Sequence, residues 1–180
     1  GARRPAGVEK TKFTKVGVIG AGFMGAGIAY STAKAGIPVV LIDRDQEAAD
    51  KGKAHSLGLV TAAVKKGRMS QEQADQLLSL ITPSADYNAL QGAELVIEAV
   101  FEDRGIKKIV TEATEAVLKP GAVFASNTST LPITGLAENS KRPDDFVGIH
   151  FFSPVDRMML VEIIMGEKTA DKALAVALDY

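Results

Sequence analysis

The hexapeptide Gly20-Ala21-Gly22-Phe23-Met24-Gly25 has a glycine spacing suited to holding phosphate. It follows a short apolar run at residues 15–20 (KVGVIG) and leads into an Ala-, Ile- and Met-rich stretch at residues 23–35. A second apolar run, residues 38–43 (PVVLID), ends in an acid about 20 residues further on. Between a strand and a helix each glycine has a mechanical role. Gly20 permits a tight turn, Gly22 lets the backbone approach a pyrophosphate, and Gly25 lets the helix pack closely on the strand. The helix start offers free N–H groups and a positive dipole end to phosphate oxygens. Asp43 would accept hydrogen bonds from the adenine-ribose hydroxyls and repel a 2′-phosphate, which favours NAD over NADP. Arg44 is a counter-signal, since arginine at this point can hold a 2′-phosphate. The plainer alternative is a glycine turn that binds nothing, with Asp43 as a strand-end residue.

A histidine and a misplaced acid form the second group. His150 closes the run FVGIH, and Glu162 stands inside MMLVEII, where a carboxylate without a partner is costly. Ser153-Pro154, between the two runs, suits a turn. If the runs are neighbours, the carboxylate orients the imidazole and raises its pKa. The free ring nitrogen can then exchange a proton with a substrate hydroxyl. A structural His–Glu hydrogen bond, or a glutamate that reaches solvent, fits the same residues. His55, on a polar helical stretch, reads as solvent-facing. The cluster Ser126-Asn127-Thr128-Ser129-Thr130 follows an apolar run, and ligands of open parallel sheets bind beyond the carboxyl ends of strands. It could contact cofactor or substrate, or its hydroxyls could cap the next helix. Glu102-Asp103-Arg104 with Lys107-Lys108 reads as a solvated first helical turn.

These groups need a scaffold. Short apolar runs predict strands at residues 15–20, 38–43, 80–82 (before Pro83), 94–100, 122–126, 146–150 and 158–164. Helical patterns occupy residues 23–35, 46–66, a segment opened by Ser70 with Gln73 as a capping box, and 106–118. Strands alternating with helices imply an α/β, Rossmann-type doubly wound, mostly parallel sheet with helices on both faces. Residues 15–180 read as one such domain and residues 1–14 as a linker or tail. The last residues, DKALAVALDY, follow a helical pattern without a stop signal, so the expectation is a piece of a longer protein. A net charge of −1 gives no electrostatic reason to expect nucleic acid. With no cysteine and two histidines, neither a disulfide nor a metal site is expected. No run approaches the roughly 20 apolar residues that span a bilayer.

Taken in order, VGVIGAGFMGAGIA, VVLIDRD, KKGRM, ELVIEAVFED, FASNTSTLPIT, FVGIHFFSPV and MMLVEII resemble the L-3-hydroxyacyl-CoA dehydrogenase family. The resemblance runs from about residue 15 to the end and is greatest to the dehydrogenase region of multifunctional fatty-acid-oxidation enzymes. It implies oxidation of the 3-hydroxyl of an acyl-CoA to a ketone in β-oxidation, with hydride passed to NAD. It makes His150 the catalytic base and Glu162 its orienting partner, and has Ser129 hydrogen-bond the substrate oxygen near the nicotinamide. It assigns Gly20, Gly22, Phe23, Met24, Gly25, Asp43 and Arg44 to the adenosine and pyrophosphate. It adds Val100, Phe101, Glu102, Lys107 and Asn127 to the cofactor lining, and Lys66 to the CoA phosphates. Ser153 stands where the family usually has an Asn that contacts cofactor, so the shorter serine would reach it through water or not at all. The family continues into an all-helical domain that supplies a catalytic Asn, much of the acyl-CoA cleft and the dimer contact. A parent that is a homodimer, or that works in a β-oxidation complex with a thiolase, is implied, and an upstream hydratase domain is a feature of the multifunctional members. The setting expected is the bacterial cytoplasm or an organelle matrix. Two alternatives stay open: a related dehydrogenase of a small hydroxy acid or sugar acid, and a non-catalytic nucleotide-binding module, for which a proton relay would be superfluous.

Overall fold

Apolar runs of four or five residues are too short for stable helices and become strands. In the computed structural model, which describes residues 12–100, 102–127, 140–152 and 160–165 (backbone only at 143, 149–152 and 160–165), β1 (Val16–Ile19), β2 (Val39–Ile42) and β4 (Leu95–Glu98) are buried at every position. Such full burial belongs to the middle of a sheet covered on both faces. With β3 (Ile81–Ser84), β5 (Val123–Asn127), β6 (Phe146–Phe152) and β7 (Leu160–Met165) the sheet runs β3-β2-β1-β4-β5-β6-β7. β1 to β6 are parallel, and β7 returns antiparallel along β6.

Helices α1 (Phe23–Lys34), α2 (Gln46–Lys65) with α3 (Gln71–Ser79), and α4 (Arg104–Glu115) provide the crossovers from β1 to β2, β2 to β3 and β4 to β5. Alternate strand residues feed two cores. Val16, Val18, Leu41 and Ile97 meet Ile28 of α1, Val60 of α2 and Leu77 of α3 on one face. Ile19, Val40, Ile42 and Val96 meet Val110 of α4 and Leu90 on the other, where Phe124 and Phe146 stack at 5.3 Å. The expected doubly wound sheet is therefore present. The last apolar run is a strand, as its length and β-branched content indicate. β3 runs through Pro83 instead of stopping before it. Pro83 faces Leu41 on an edge strand, where a missing N–H leaves no second neighbour unsatisfied.

Three of the described α-helices cap themselves. Asp45 accepts the Ala48 N–H at 2.8 Å, and Asp103 accepts the Ile106 N–H at 2.9 Å. Ser70 and Gln73 form the expected capping box, at 3.0 and 2.9 Å. At the amino ends of the central strands Glu94 ties β4 to the approach of β1: it accepts from the Thr14 N–H and hydroxyl, both at 2.7 Å, the Lys15 N–H at 3.0 Å and Lys119 Nζ at 3.1 Å. Burial works to raise its pKa, but the Lys15 N–H, both Thr14 groups and Lys119 outweigh it and hold the carboxyl below its ordinary range. A depressed carboxyl stabilises the fold above its unfolded pKa, and that stability is lost as pH falls through the folded value. Glu94→Gln is therefore expected to cost about 1–2 kcal/mol in urea unfolding near neutral pH. The difference from wild type should close as the pH is taken below about 4. A difference independent of pH would show that the charge has no part in it.

Candidate active site at the carboxyl edge of the sheet

β1 pairs with β2 on one side and β4 on the other, so the crossover from β1 to β2 and the later one from β3 to β4 run to opposite sides and leave a crevice at the carboxyl end of β1. The glycine loop sits in that crevice. The Gly20 N–H donates to the Ile42 carbonyl at 2.8 Å, and the Ala99 N–H donates to the Ile19 carbonyl at 2.7 Å. Gly20 has φ +100, and a Cβ there would lie 2.6 Å from the Ala99 carbonyl oxygen. A Cβ at Gly25 would overlap the Gly20 carbonyl oxygen, whereas one at Gly22 would meet nothing within 4 Å. The three glycines thus sit in a turn, against a backbone and facing open space, which is the division the motif implies. Gly52 of α2, unread in the sequence, belongs with them. A Cβ there would come within 2.7 Å of both Ala21 Cβ and Leu41 Cδ2, so α2 leans directly on the loop. A glycine inside a helical pattern was the available signal, shared with Gly58 of the same helix, where a Cβ would meet nothing within 4 Å.

Helix α1 starts at this loop with no side-chain cap and no acid in its first turn. Its first N–H groups and dipole are left for an anion. A cleft of about 740 Å³ opens over them, lined by Gly22, Phe23, Met24, Asp43, Tyr87 and Val100 among others. Asp43 Oδ2 accepts the Ala21 N–H at 2.8 Å, so the carboxylate that faces the cleft also braces the loop. Arg44 is 83% exposed and its Nε lies 3.6 Å from Asp45 Oδ2. Burial, and then the charge of Asp43, push the Tyr87 phenol above its ordinary value. Phe23 is exposed and sets its ring edge-on to His55 at 6.0 Å, so His55 is half-buried rather than solvent-facing.

On the far side of the cleft the charged segment from Glu102 to Lys108 is not solvated throughout. Lys107 is not part of a solvated turn: it is 2% exposed, while Arg104 and Lys108 are exposed as expected. Its ammonium donates to Glu98 Oε1 at 2.8 Å, Glu98 Oε2 at 2.7 Å and the Asn127 carbonyl at 3.0 Å. Fully buried Glu98 also accepts the Ser126 hydroxyl at 2.6 Å and the Val100 N–H at 2.9 Å. Burial pushes the Glu98 carboxyl upward against the pull of Lys107, Ser126 and Val100. Glu102, partly exposed, stands 3.6 Å from the same ammonium. An acid inside the apolar run ELVIEAV is the signal that drew attention to Glu162, and it pointed equally to Glu98.

The antiparallel register sets His150 directly opposite Glu162. Such paired residues share one face of the sheet, with α-carbons about 4.5–5.5 Å apart. Phe101, Ser129 and Ser153 lie outside the described residues. Lys66 is exposed at the far end of α2, roughly 27 Å of helix from Ala48 at the cleft. Among the described residues no acidic or histidine cluster could hold a metal, and no helix is long and apolar enough to cross a membrane.

Fold and site together define a dinucleotide-binding domain. Residues 15–180 match the family described as 3-hydroxyacyl-CoA dehydrogenase, NAD binding domain, and the chain belongs to that family. It is 38% identical over 179 residues to the fatty acid oxidation complex subunit alpha of Colwellia psychrerythraea, covering 99% of this chain and 25% of that protein. It is 43% identical to the subunit of the same name from Idiomarina loihiensis, covering 91% of this chain and 23% of that one. The chain thus spans about a quarter of the length of these relatives. The (S)-3-hydroxybutyryl-CoA dehydrogenase of Ralstonia eutropha superposes with a TM-score of 0.87 at 35% identity, over 93% of this chain and 60% of that one. The dehydrogenase part of multifunctional enzyme 1 from C. elegans gives 0.84 at 28%, over 98% and 41%. The family's cofactor is NAD.

The two inner glycines should separate cleanly on substitution. Gly25→Ala must push α1 off Gly20 and is expected to cost about 1–3 kcal/mol of stability. Gly22→Ala should leave the thermal midpoint nearly unchanged while weakening NADH binding by about tenfold or more, because the new methyl group occupies the space a pyrophosphate would approach. Unaltered NADH affinity in Gly22→Ala would remove the loop from the binding site.

Proposed function

We propose that this chain is the cofactor-holding part of an enzyme that oxidises L-3-hydroxyacyl-CoA to 3-oxoacyl-CoA in fatty acid oxidation. The observation that carries the reading is the uncapped start of α1, open to the cleft at Gly22 and flanked by Asp43. The other described α-helices supply their own caps, and among them this one alone is left for a ligand's phosphates. Bound there, NAD supplies the hydride acceptor. The residues of this chain then do the rest. Asp43 takes the adenine-ribose hydroxyls, and its charge opposes a 2′-phosphate. The first turn of α1 takes the pyrophosphate, with Phe23 and Met24 beside it. Val100, Phe101, Glu102 and Asn127 border the remaining half.

Proton transfer falls to His150, which accepts the proton of the substrate 3-hydroxyl as hydride leaves the same carbon. Glu162, opposite it in the register, orients the imidazole and stabilises the imidazolium that forms. Ser129 donates to the substrate oxygen. Lys66 is assigned to the CoA phosphates, Ser153 to a water-mediated cofactor contact, and Lys107 acts from behind the site rather than on the cofactor. The names of the relatives support a parent that works as one subunit of a larger complex; the partner proposed for it is a thiolase that consumes its product.

Two measurements on the full-length protein test this reading. Calorimetric titration should give NADH binding in the micromolar range and clearly weaker NADPH binding. His150→Gln should lower turnover of acetoacetyl-CoA by about 10²–10⁴-fold with NADH affinity unchanged. Retained turnover would remove His150 from the chemistry. Equal turnover of free acetoacetate would point to a dehydrogenase with no need for CoA.

A further inference from the structure

The direction of the bound dinucleotide follows from the strand order. Asp43 fixes the ribose end beyond β2, and α1 fixes the pyrophosphate beyond β1. In the sequence of strands β2-β1-β4-β5 the other half of the molecule must lie over the ends of β4 and β5. Those two ends are joined there by a charged group as well as by their ladder. Glu98 in β4 binds Lys107 of α4, the Ser126 hydroxyl of β5 and the Val100 N–H. Lys107 spends its three N–H donors on the two Glu98 oxygens and on the carbonyl of Asn127, the last residue of β5. Glu98, Lys107 and Ser126 are all at most 2% exposed.

An ion pair this deep contributes little net stability, because desolvation of both charges offsets their attraction. A well-packed apolar pair would serve as well. What the ion pair does supply is geometry. It fixes the backbone at Val100, which lines the cleft, and at Asn127, the second residue of the polar cluster that starts at Ser126. We propose that Glu98 is a positioning residue for the nicotinamide half of the dinucleotide. Through Lys107 and the Val100 N–H it holds the ends of β4 and β5 at the separation that half requires, and it leaves the adenosine half to the glycine loop and Asp43. The inference rests on the dinucleotide reading above.

The test compares NADH with ADP-ribose, which lacks the nicotinamide ring, on the full-length protein. Glu98→Gln is expected to weaken NADH binding by about tenfold or more, a loss near 1.4 kcal/mol. ADP-ribose affinity should stay within about twofold of wild type. The double variant Glu98→Gln/Lys107→Met removes both charges and so avoids a stranded buried ammonium. It should regain thermal midpoint lost by the single variant while keeping the NADH deficit, and it decides the matter if the single variant does not fold. Loss of both ligands in step with the midpoint, or wild-type NADH affinity in the double variant, would overturn the proposal. A wild-type protein that binds neither ligand would instead overturn the dinucleotide reading beneath it.

Discussion

The α-carbon of Gly25 packs against the carbonyl oxygen of Gly20 with no room for a side chain between them. This closeness fixes the start of α1 at the carboxyl end of β1, where the chain diverges toward β2 on one side and β4 on the other. The exposed N–H groups of the first turn are aimed into the cleft as a result. An aspartate or serine at the cap would satisfy them and close the site to phosphate, and Gly22 does neither. Elsewhere Asp45, Ser70 and Asp103 do cap their helices. Among the described α-helices the bare terminus is thus confined to this one position.

Parallel strands put all their carboxyl ends on one edge, and the polar groups of the site gather there for that reason. The glycine loop follows β1, Asp43 follows β2, Glu98 ends β4 with Val100 two residues beyond it, Asn127 ends β5, and His150 lies in β6. One element has to run the other way. β7 returns antiparallel, and the return is what sets Glu162 opposite His150. Two of these groups have local supports: Asp43 braces the loop through the Ala21 N–H, and the buried carboxylate of Glu98 is met by an ammonium, a hydroxyl and a backbone N–H. The unfavourable burial of charge is met by partners at every atom, as a low-dielectric interior demands.

Much of this was legible in the residues. β-Branched runs and their spacing marked the strands, and GxGxxG between a strand and a helix marked the phosphate loop. Ser70 with Gln73 marked a helix start that the hydrogen bonds bear out. What escaped reading was set by packing. Lys107 follows a run of charges that looks like solvated helix, and only the seating of α4 on β4 turns its ammonium inward to Glu98. His55 is covered because Phe23 remains on the surface beside it. Gly52 looked like an ordinary helical glycine until α2 was seen to press on Ala21. Pro83 reads as a strand terminator, and its tolerance depends on β3 having one neighbour only.

The claim on which the account turns is that the start of α1 holds the pyrophosphate of a dinucleotide. A crystal structure of the full-length protein with NAD bound tests it most directly. The expected result places pyrophosphate oxygens about 2.7–3.2 Å from backbone nitrogens between Gly22 and Gly25, with the adenine ribose on Asp43. A dinucleotide seated elsewhere, with those N–H groups bonded only to water, would contradict the account.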